Sequence, residues 1–365
     1  MYTEIVKIIE GGMSNDKEKV FNYATLLADN LEKEGDVNFS KKIRTVLSKK
    51  KSSLASLDSL NSKPVDQESR MDIINVTYPT KESNEIILNK TTKNEINEFI
   101  QVYKQRNKLM KAGMEVGNSL LLYGPPGCGK TSLASYISYK TDLPLVVARL
   151  DSLISSLLGS TAKNIRKIFE YASKNECILF LDEFDVIAKL RDDKHEMGEL
   201  KRVVNSLIQN IDEFSENSIL IAATNHEELL DNAVWRRFSW ILKLDKPNHD
   251  EIVFLLEDLL KNTETNILES KGKRKKISFI NELYGFSHAD IKNIINKCIR
   301  KSIINNINEI NNWDILTEVY LRKNHEIENE DKFIKYLYIN GVTQEEINKY
   351  LNVSLRTVRE ATKLD

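Results

Sequence analysis

A glycine-rich segment near the middle of the chain constrains its fold more than any other feature. The sequence LLLYGPPGCGKTS occupies residues 120–132 and holds three of the 13 glycines and two of the 6 prolines. An apolar run precedes it and a helix-like stretch follows. A turn between a buried strand and a helix aims backbone N–H groups and the positive helix end at one place. The segment therefore predicts a phosphate-binding loop.

The spacing within this loop fits the pattern G-x-x-x-x-G-K-[ST]. Glycine is needed where a Cβ would keep the backbone away from the phosphates. Lys130 is predicted to reach the β and γ phosphates of a nucleoside triphosphate, and the Thr131 hydroxyl to bind Mg²⁺. The residues predicted to bind the nucleotide are Gly124, Pro125, Pro126, Gly127, Cys128, Gly129, Lys130, Thr131 and Ser132.

Two carboxylates, Asp182 and Glu183, follow the apolar run 178–181. The carboxyl ends of parallel strands border the crevice in which ligands bind. Asp182 is predicted to lie near Mg²⁺. Glu183 points elsewhere because successive strand residues diverge, and it is predicted to polarise the attacking water.

Several short, continuous apolar runs alternate with amphipathic stretches. They cover residues 120–123, 145–150, 178–181, 219–223 and 241–244. Continuous rather than alternating hydrophobicity indicates strands buried on both faces, hence a mainly parallel sheet covered by helices. The predicted fold class is α/β, a P-loop NTPase sheet followed by a helical lid.

The rest of the chain is predicted to be helical around a Ser-rich, aperiodic linker that contains Pro64 and Pro79. The predicted parts are a helical N-terminal module at 1–50, a linker at 51–84, a nucleotide-binding α/β domain at 85–246, a helical lid at 247–328 and a C-terminal module at 329–365.

Charge and cysteine usage exclude several classes of protein. The chain has 53 Lys+Arg against 54 Asp+Glu, so its net charge does not attract it to nucleic acid or to an anionic membrane. The three cysteines have neither disulfide nor zinc-site spacing. The first residues lack the pattern of a signal peptide, and no apolar window suits a membrane span. We therefore expect a cytoplasmic protein without a membrane partner.

Five motifs occur in a fixed order along the chain, namely GPPGCGKT, FLDE, ILIAATN (219–225), DNAVWRRF (231–238) and GFSHADI (285–291). Together they resemble the AAA ATPases, specifically the clade of spastin, katanin and the proteasomal ATPases, over roughly residues 85–305. The resemblance implies Mg²⁺-dependent ATP hydrolysis that remodels, unfolds or delivers a protein client.

The resemblance also assigns roles to three further residues. It implies that Asn225 hydrogen-bonds the water or the γ-phosphate, from a strand between those of the loop and the acid pair. Arg236 and Arg237 match the arginine fingers, which in this family reach the nucleotide of the neighbouring subunit. A guanidinium there offsets the charge that develops on the γ-phosphate. A ring follows, which in this family is usually a hexamer.

The second sensor region and the loops that face the client depart from the family pattern. His288 replaces the usual glycine, and it either contacts the nucleotide or has a structural role beside Ser287. Ala289 stands where more distant relatives carry an arginine. Leu157, Leu158 and Gly159 occupy the place of the aromatic pore loop. The charged segment 189–202 is either a second client-facing loop or a solvated surface.

The C-terminal segment 333–363 resembles a helix-turn-helix, with a helix at 344–351, a turn at 352–354 and a second helix at 355–363. Arg356, Arg359 and Lys363 lie on that second helix. Two interpretations remain: a module that docks a protein, or a DNA-binding regulator controlled by nucleotide. The helical modules at both ends resemble those of bacterial ATPases that accompany a serine protease or a defence effector, and this resemblance makes either a candidate partner.

Overall fold

The structure, a computed structural model, describes residues 64, 73–79, 86–150, 158–186, 199–215, 217–265, 273–305 and 309–363, with scattered helical residues between 5 and 45. Most of the predicted N-terminal module and linker therefore lies outside the described residues. Among the helical residues near the start of the chain is the stretch 39–45.

Six strands form the central sheet. They are β1 (Asn75–Thr77), β2 (Ser119–Tyr123), β3 (Leu145–Arg149), β4 (Ile178–Asp182), β5 (Ile219–Thr224) and β6 (Trp240–Lys243). Their order across the sheet is β1-β3-β4-β5-β2-β6, and all neighbouring pairs are parallel except β1 with β3. The predicted α/β fold with a mainly parallel sheet is confirmed.

Helices cover both faces of this sheet. They are α1 (Lys90–Lys104), α2 (Arg106–Lys111), α3 (Lys130–Thr141), α4 (Leu158–Lys174) and α5 (Glu199–Asp212). Successive strand residues point to opposite faces. Leu120 and Leu122 belong to the apolar cluster of α1 and α3, whereas Leu121 belongs to that of α4 and α5. Burial on both faces explains why the strands read as continuous apolar runs.

A mostly helical region follows the sheet. After the short helix α6 (Asn232–Trp235), which precedes β6, come α7 (His249–Leu260), β7 (Glu264–Thr265), α8 (Lys273–Leu283), α9 (His288–Ile304), β8 (Glu309–Ile310) and α10 (Asn312–Asn324). Asn248 and Glu251 form a capping box at the start of α7, and Ser287 and Asp290 form one at the start of α9. Such pairs satisfy N–H groups that a helix end leaves unbonded.

Three further helices end the described chain: α11 (Glu330–Ile339), α12 (Gln344–Leu351) and α13 (Leu355–Ala361). Phe333 and Val358 lie in the same apolar cluster as Ile295 and Leu316. The C-terminal helices thus share one core with the lid. The predicted boundaries between these parts stay a prediction.

Strand β1 lies inside the segment that the sequence predicts to be a linker. Val76 pairs with Val146 of β3, so the last part of that segment extends the sheet. In the described parts of the chain, no helix has both the length and the apolar composition needed to cross a bilayer.

Candidate nucleotide site

The predicted site residues follow three neighbouring strands at one edge of the sheet. Strand β5 lies between β2 and β4, with Tyr123 beside Thr224 and Leu181 beside Ala222. Asn225, directly after β5, therefore lies between the glycine-rich loop and the acid pair. This is the strand arrangement that the resemblance implies.

The glycine-rich loop contains backbone that only glycine adopts easily. Gly124 has φ +132°, and a Cβ there would lie 2.2 Å from the Leu244 carbonyl oxygen. That carbonyl is close because the Leu244 N–H donates to the Tyr123 carbonyl over 2.8 Å. Gly129 has φ +95° with open space beside it. The loop thus packs against β6 at its start and is open where α3 begins.

Lys130, the first residue of α3, is buried inside this loop with only 8% of its surface exposed. Its ammonium donates to the carbonyls of Gly124 over 2.5 Å and Pro125 over 3.0 Å. Burial lowers its pKa, while the nearby Cys128 and Asp182 oppose that effect. The charge is thus aimed at the centre of the loop, where phosphates fit.

The acid pair has an unusual backbone conformation. Glu183 has φ +56°, in the left-handed region that residues other than glycine rarely adopt. Its N–H donates to Asp182 Oδ1 over 3.0 Å, and the next residue, Phe184, donates its N–H to the Ala223 carbonyl over 2.9 Å. Such conformations persist only where the surrounding structure holds them in place, and they cluster at active sites.

Asp185 is a buried carboxylate near the site, and none of the sequence motifs assigns it a role. It is 4% exposed, and the Thr224 hydroxyl lies 3.2 Å from its Oδ1. The oxygen of that hydroxyl also accepts the N–H of His226 over 3.0 Å. These bonds hold the turn that carries Asn225 against the end of β4. In the sequence, the one sign of this residue is that it is the last acidic residue of the segment FLDEFD.

The two predicted finger arginines have different surroundings. Arg236 is exposed, and its side chain makes no hydrogen bond or ion pair with any residue that the structure describes. Arg237 pairs through Nε with Asp212 of α5 at 3.0 Å and also donates to the Ala233 carbonyl. Of the two arginines, Arg236 is therefore the one presented to solvent without a partner among the residues that the structure describes.

The start of α9 contacts the glycine-rich loop. Ala289 donates its N–H to the Gly127 carbonyl over 3.1 Å. Asp290 Oδ2 accepts the Ser287 hydroxyl over 2.8 Å, and its Oδ1 accepts a hydrogen bond from Arg322 of α10. The second sensor region thus contacts the glycine-rich loop through a backbone hydrogen bond.

His288 has a buried imidazole. Both ring nitrogens are buried without a hydrogen-bond partner among the described residues. Burial lowers the pKa of the ring, and Glu251 acts in the opposite direction. Burial therefore favours the neutral form of the ring.

Most of the predicted client-facing residues fall outside the described structure. Leu157 and residues 189–198 are not among the described residues. Leu158 and Gly159 form the start of α4, and residues 199–202 form the start of α5.

Helix α12 has the predicted bounds and α13 begins where the sequence predicts it, while the helix-turn-helix assignment stays a prediction. Helices α12 and α13 are separated by Asn352 at φ +55°, and the Asn348 side chain donates to the Val353 carbonyl. Helix α13 ends at Ala361, before Lys363. Arg356 pairs with Glu360 at 3.0 Å, which offsets part of its charge. DNA binding by this module stays a prediction.

The sheet order and the loop define a P-loop nucleoside triphosphatase. Residues 120–246 match the family described as "ATPase family associated with various cellular activities (AAA)". The chain is 36% identical over 247 residues to the uncharacterized AAA family ATPase y4kL of Sinorhizobium fredii, covering 68% of this chain and 73% of that protein. The chain belongs to the AAA ATPase family and is an ATPase.

The names of two other relatives state an activity. The chain is 34% identical over 183 residues to proteasome-activating nucleotidase 1 of Haloferax volcanii, covering 47% of this chain and 45% of that protein. It is 33% identical over 247 residues to the ATP-dependent zinc metalloprotease FtsH of Mycoplasmopsis synoviae, covering 64% and 36%. The chain matches less than half the length of these two relatives.

A solved structure has the same fold. The crystal structure of the FIGL-1 AAA domain aligns with a TM-score of 0.57 and 19% identity, over 72% of this chain and 91% of that one.

Proposed function

We propose that this ATPase works with Mg²⁺ in a ring of six subunits and uses ATP hydrolysis to remodel, unfold or deliver a protein client. One observation carries the proposal: the sheet edge brings Asn225 between the loop around the buried Lys130 and the acid pair Asp182–Glu183. The three buried cysteines, none in a disulfide, support a cytoplasmic location.

The residues fit Mg·ATP in chemical type. The loop from Gly124 to Gly129 offers backbone N–H groups, and Lys130 is already aimed at its centre. Mg²⁺ prefers oxygen ligands, which the exposed Thr131 hydroxyl and the Asp182 carboxylate provide. When bound, Mg²⁺ would supply positive charge to the β and γ phosphates.

In the proposed reaction, Glu183 accepts a proton as the water oxygen bonds to the γ-phosphorus. The bond between that phosphorus and the oxygen bridging the β and γ phosphates breaks, and ADP leaves with the bond's electrons. Asn225 orients the water or the γ-phosphate from the turn that Thr224 and Asp185 hold. Glu183 directly follows β4, and its backbone is in the left-handed region.

An arginine of the pair 236–237 completes the site of the neighbouring subunit in this proposal. The exposed Arg236 faces solvent in the single chain, and an arginine supplied in trans is worth about 10³–10⁵ in rate. A site finished by a neighbour requires head-to-tail contacts between subunits, and such contacts form a ring when the rotation between subunits closes.

A protein client is supported by the relatives whose names state a proteasome-activating or a protease function. Leu157, Leu158 and Gly159 stand at the family's pore-loop position. Leucine grips a chain by apolar contact but lacks the flat surface of an aromatic ring.

The proposal is tested by nucleotide-dependent assembly and capture. Glu183→Gln is expected to bind ATP without turnover, to sediment as a ring of six and to retain a protein client. Lys130→Ala on its own is expected to bind no ATP, to form no ring unless nucleotide-bound subunits are present, and to retain no client. The control Lys140→Ala, on the same helix, is expected to behave as the parent.

Two results contradict the proposal. Monomeric Glu183→Gln at saturating ATP contradicts the ring. The amount of captured protein is compared between Glu183→Gln with ATP, Glu183→Gln with ADP, and Lys130→Ala. Equal amounts in all three samples contradict client binding that is controlled by nucleotide.

A further inference from the structure

The segment 235–238 holds the two arginines between two aromatic side chains. Helix α6 ends at Trp235, just before the arginines, and has only 4 residues, so it is not stable without contacts from outside the helix. The geometry of a catalytic group must nevertheless be held to within about 0.5 Å. Contacts outside the helix therefore have to orient this segment.

The first contact is made by Trp235. Its ring lies edge-on to Tyr123, with centroids 5.2 Å apart and planes at 83°. Its Nε1–H donates to the Leu230 carbonyl over 3.1 Å. Tyr123 is the last residue of β2 and directly precedes Gly124 of the glycine-rich loop.

The second contact is made by Phe238, which is 4% exposed. Its ring lies edge-on to Phe184, with centroids 5.7 Å apart and planes at 85°. Phe184 directly follows Glu183 and is itself 1% exposed. Edge-to-face pairs of this kind fix the relative orientation of the two rings.

The third contact is the ion pair of Arg237. Its guanidinium joins Asp212, at the end of α5, to the Ala233 carbonyl within α6. The side chain of Arg237 is 29% exposed and that of Asp212 is 49% exposed. This guanidinium is thus committed to holding α6 against α5.

We propose that Arg236 alone is the finger presented to the neighbouring subunit, and that Trp235, Arg237 and Phe238 are positioning residues that set its direction. The inference rests on the proposed function, since it requires a finger that acts in trans. The inference gives the two arginines different roles. Arg236 contacts the phosphate in the neighbouring subunit, and Arg237 holds the segment 235–238 in place.

Asp212→Asn tests this division because it breaks the ion pair and leaves both arginines in place.

The baseline of the test is a mixture of two variants without this change. Lys130→Ala subunits, which donate a finger but bind no nucleotide, are mixed with Arg236→Ala subunits, which bind nucleotide but donate no finger. Mixed rings should recover ATP hydrolysis at Arg236→Ala sites that follow a Lys130→Ala neighbour. No recovery, with mixed rings confirmed by native mass spectrometry, overturns both the trans finger and this inference.

The donor is then changed to Lys130→Ala/Asp212→Asn. A displacement of about 1 Å at a catalytic group costs up to about 100-fold in rate, so we expect recovery to fall by about tenfold or more. The same Asp212→Asn in the receiving Arg236→Ala subunit should leave recovery unchanged, which excludes a general folding defect. Lys130→Ala/Asp258→Asn is the matched control donor, since the ion pair that Asp258 makes among the described residues is a local one with Lys261.

A donor with Asp212→Asn that restores as much hydrolysis as the control donor, or more, overturns the positioning role of Arg237. Equal losses in donor and receiver overturn it as well. Trp235→Leu in the donor should give a loss similar to that of Asp212→Asn, and Trp235→Phe, which keeps a ring edge against Tyr123, should restore most of it. A Trp235→Leu donor with full activity overturns the role of Trp235.

Discussion

The backbone N–H of Ala289 donates to the carbonyl of Gly127 over 3.1 Å. This bond joins the first turn of α9 to the exposed part of the phosphate loop. Gly127 has φ +75°, and a Cβ there would lie 2.6 Å from the Ser287 hydroxyl oxygen. The lid and the loop are therefore in direct contact at the start of α9.

The capping carboxylate Asp290 is expected to make part of the stability depend on pH. Burial alone would raise its pKa, but the hydrogen bonds from Ser287 and Arg322 outweigh burial and hold the pKa below its usual value. A carboxyl with a lowered folded pKa stabilises above its unfolded value, about 3.9, and that contribution is lost as the pH falls through the folded pKa.

Asp290→Asn should accordingly lower the free energy of unfolding by about 1 kcal/mol at pH 7, a usual value for a lost cap. The loss should shrink as the pH falls below about 4. Urea unfolding across this pH range measures it, with Asp258→Asn as the control on an exposed pair. A loss that stays constant with pH contradicts the assignment.

Two glycines of the loop should respond differently to the same substitution. Gly124→Ala places a Cβ 2.2 Å from the Leu244 carbonyl oxygen, whereas Gly129→Ala places one in open space. Both have positive φ, which costs a residue other than glycine about 1–2 kcal/mol. Gly124→Ala should therefore lower the Tm more than Gly129→Ala, measured without nucleotide. Equal Tm values would show that the contact with Leu244 does not constrain Gly124.

The three cysteines should react slowly in the folded protein. Burial raises the pKa of Cys177 and of Cys298 to about 12, and it also raises the pKa of Cys128 in the phosphate loop. The thiolate is the reactive form. Iodoacetamide at pH 8 should label all three sites quickly in urea and slowly in buffer, as read by mass spectrometry. Fast labelling of Cys128 in buffer contradicts its burial.

The sequence predicted the features that depend on local pattern. The loop around Lys130 has a fixed spacing, and the acid pair at Asp182 follows a continuous apolar run, so both could be placed at strand ends. The position of the Asn225 strand came from the resemblance to a family, because no local pattern determines the order of parallel strands.

The remaining features depend on contacts between residues far apart in the chain. The Arg237–Asp212 pair, the Thr224–Asp185 bond and the Ala289–Gly127 bond each join separate elements. No periodicity or motif indicates such pairings. Strand β1 was missed for a related reason: its 3 residues are too few to show an alternating pattern.

The most direct test of the account is the rate of ATP hydrolysis by Glu183→Gln. Glutamine keeps the size of the side chain and removes the proton acceptor, so the steady-state rate should fall by at least about 100-fold, while ATP affinity stays at the parental level. Glu213→Gln, at an exposed position beyond α5, should hydrolyse at the parental rate. A Glu183→Gln protein that hydrolyses ATP as fast as the parent contradicts the central claim that Glu183 accepts the proton of the attacking water.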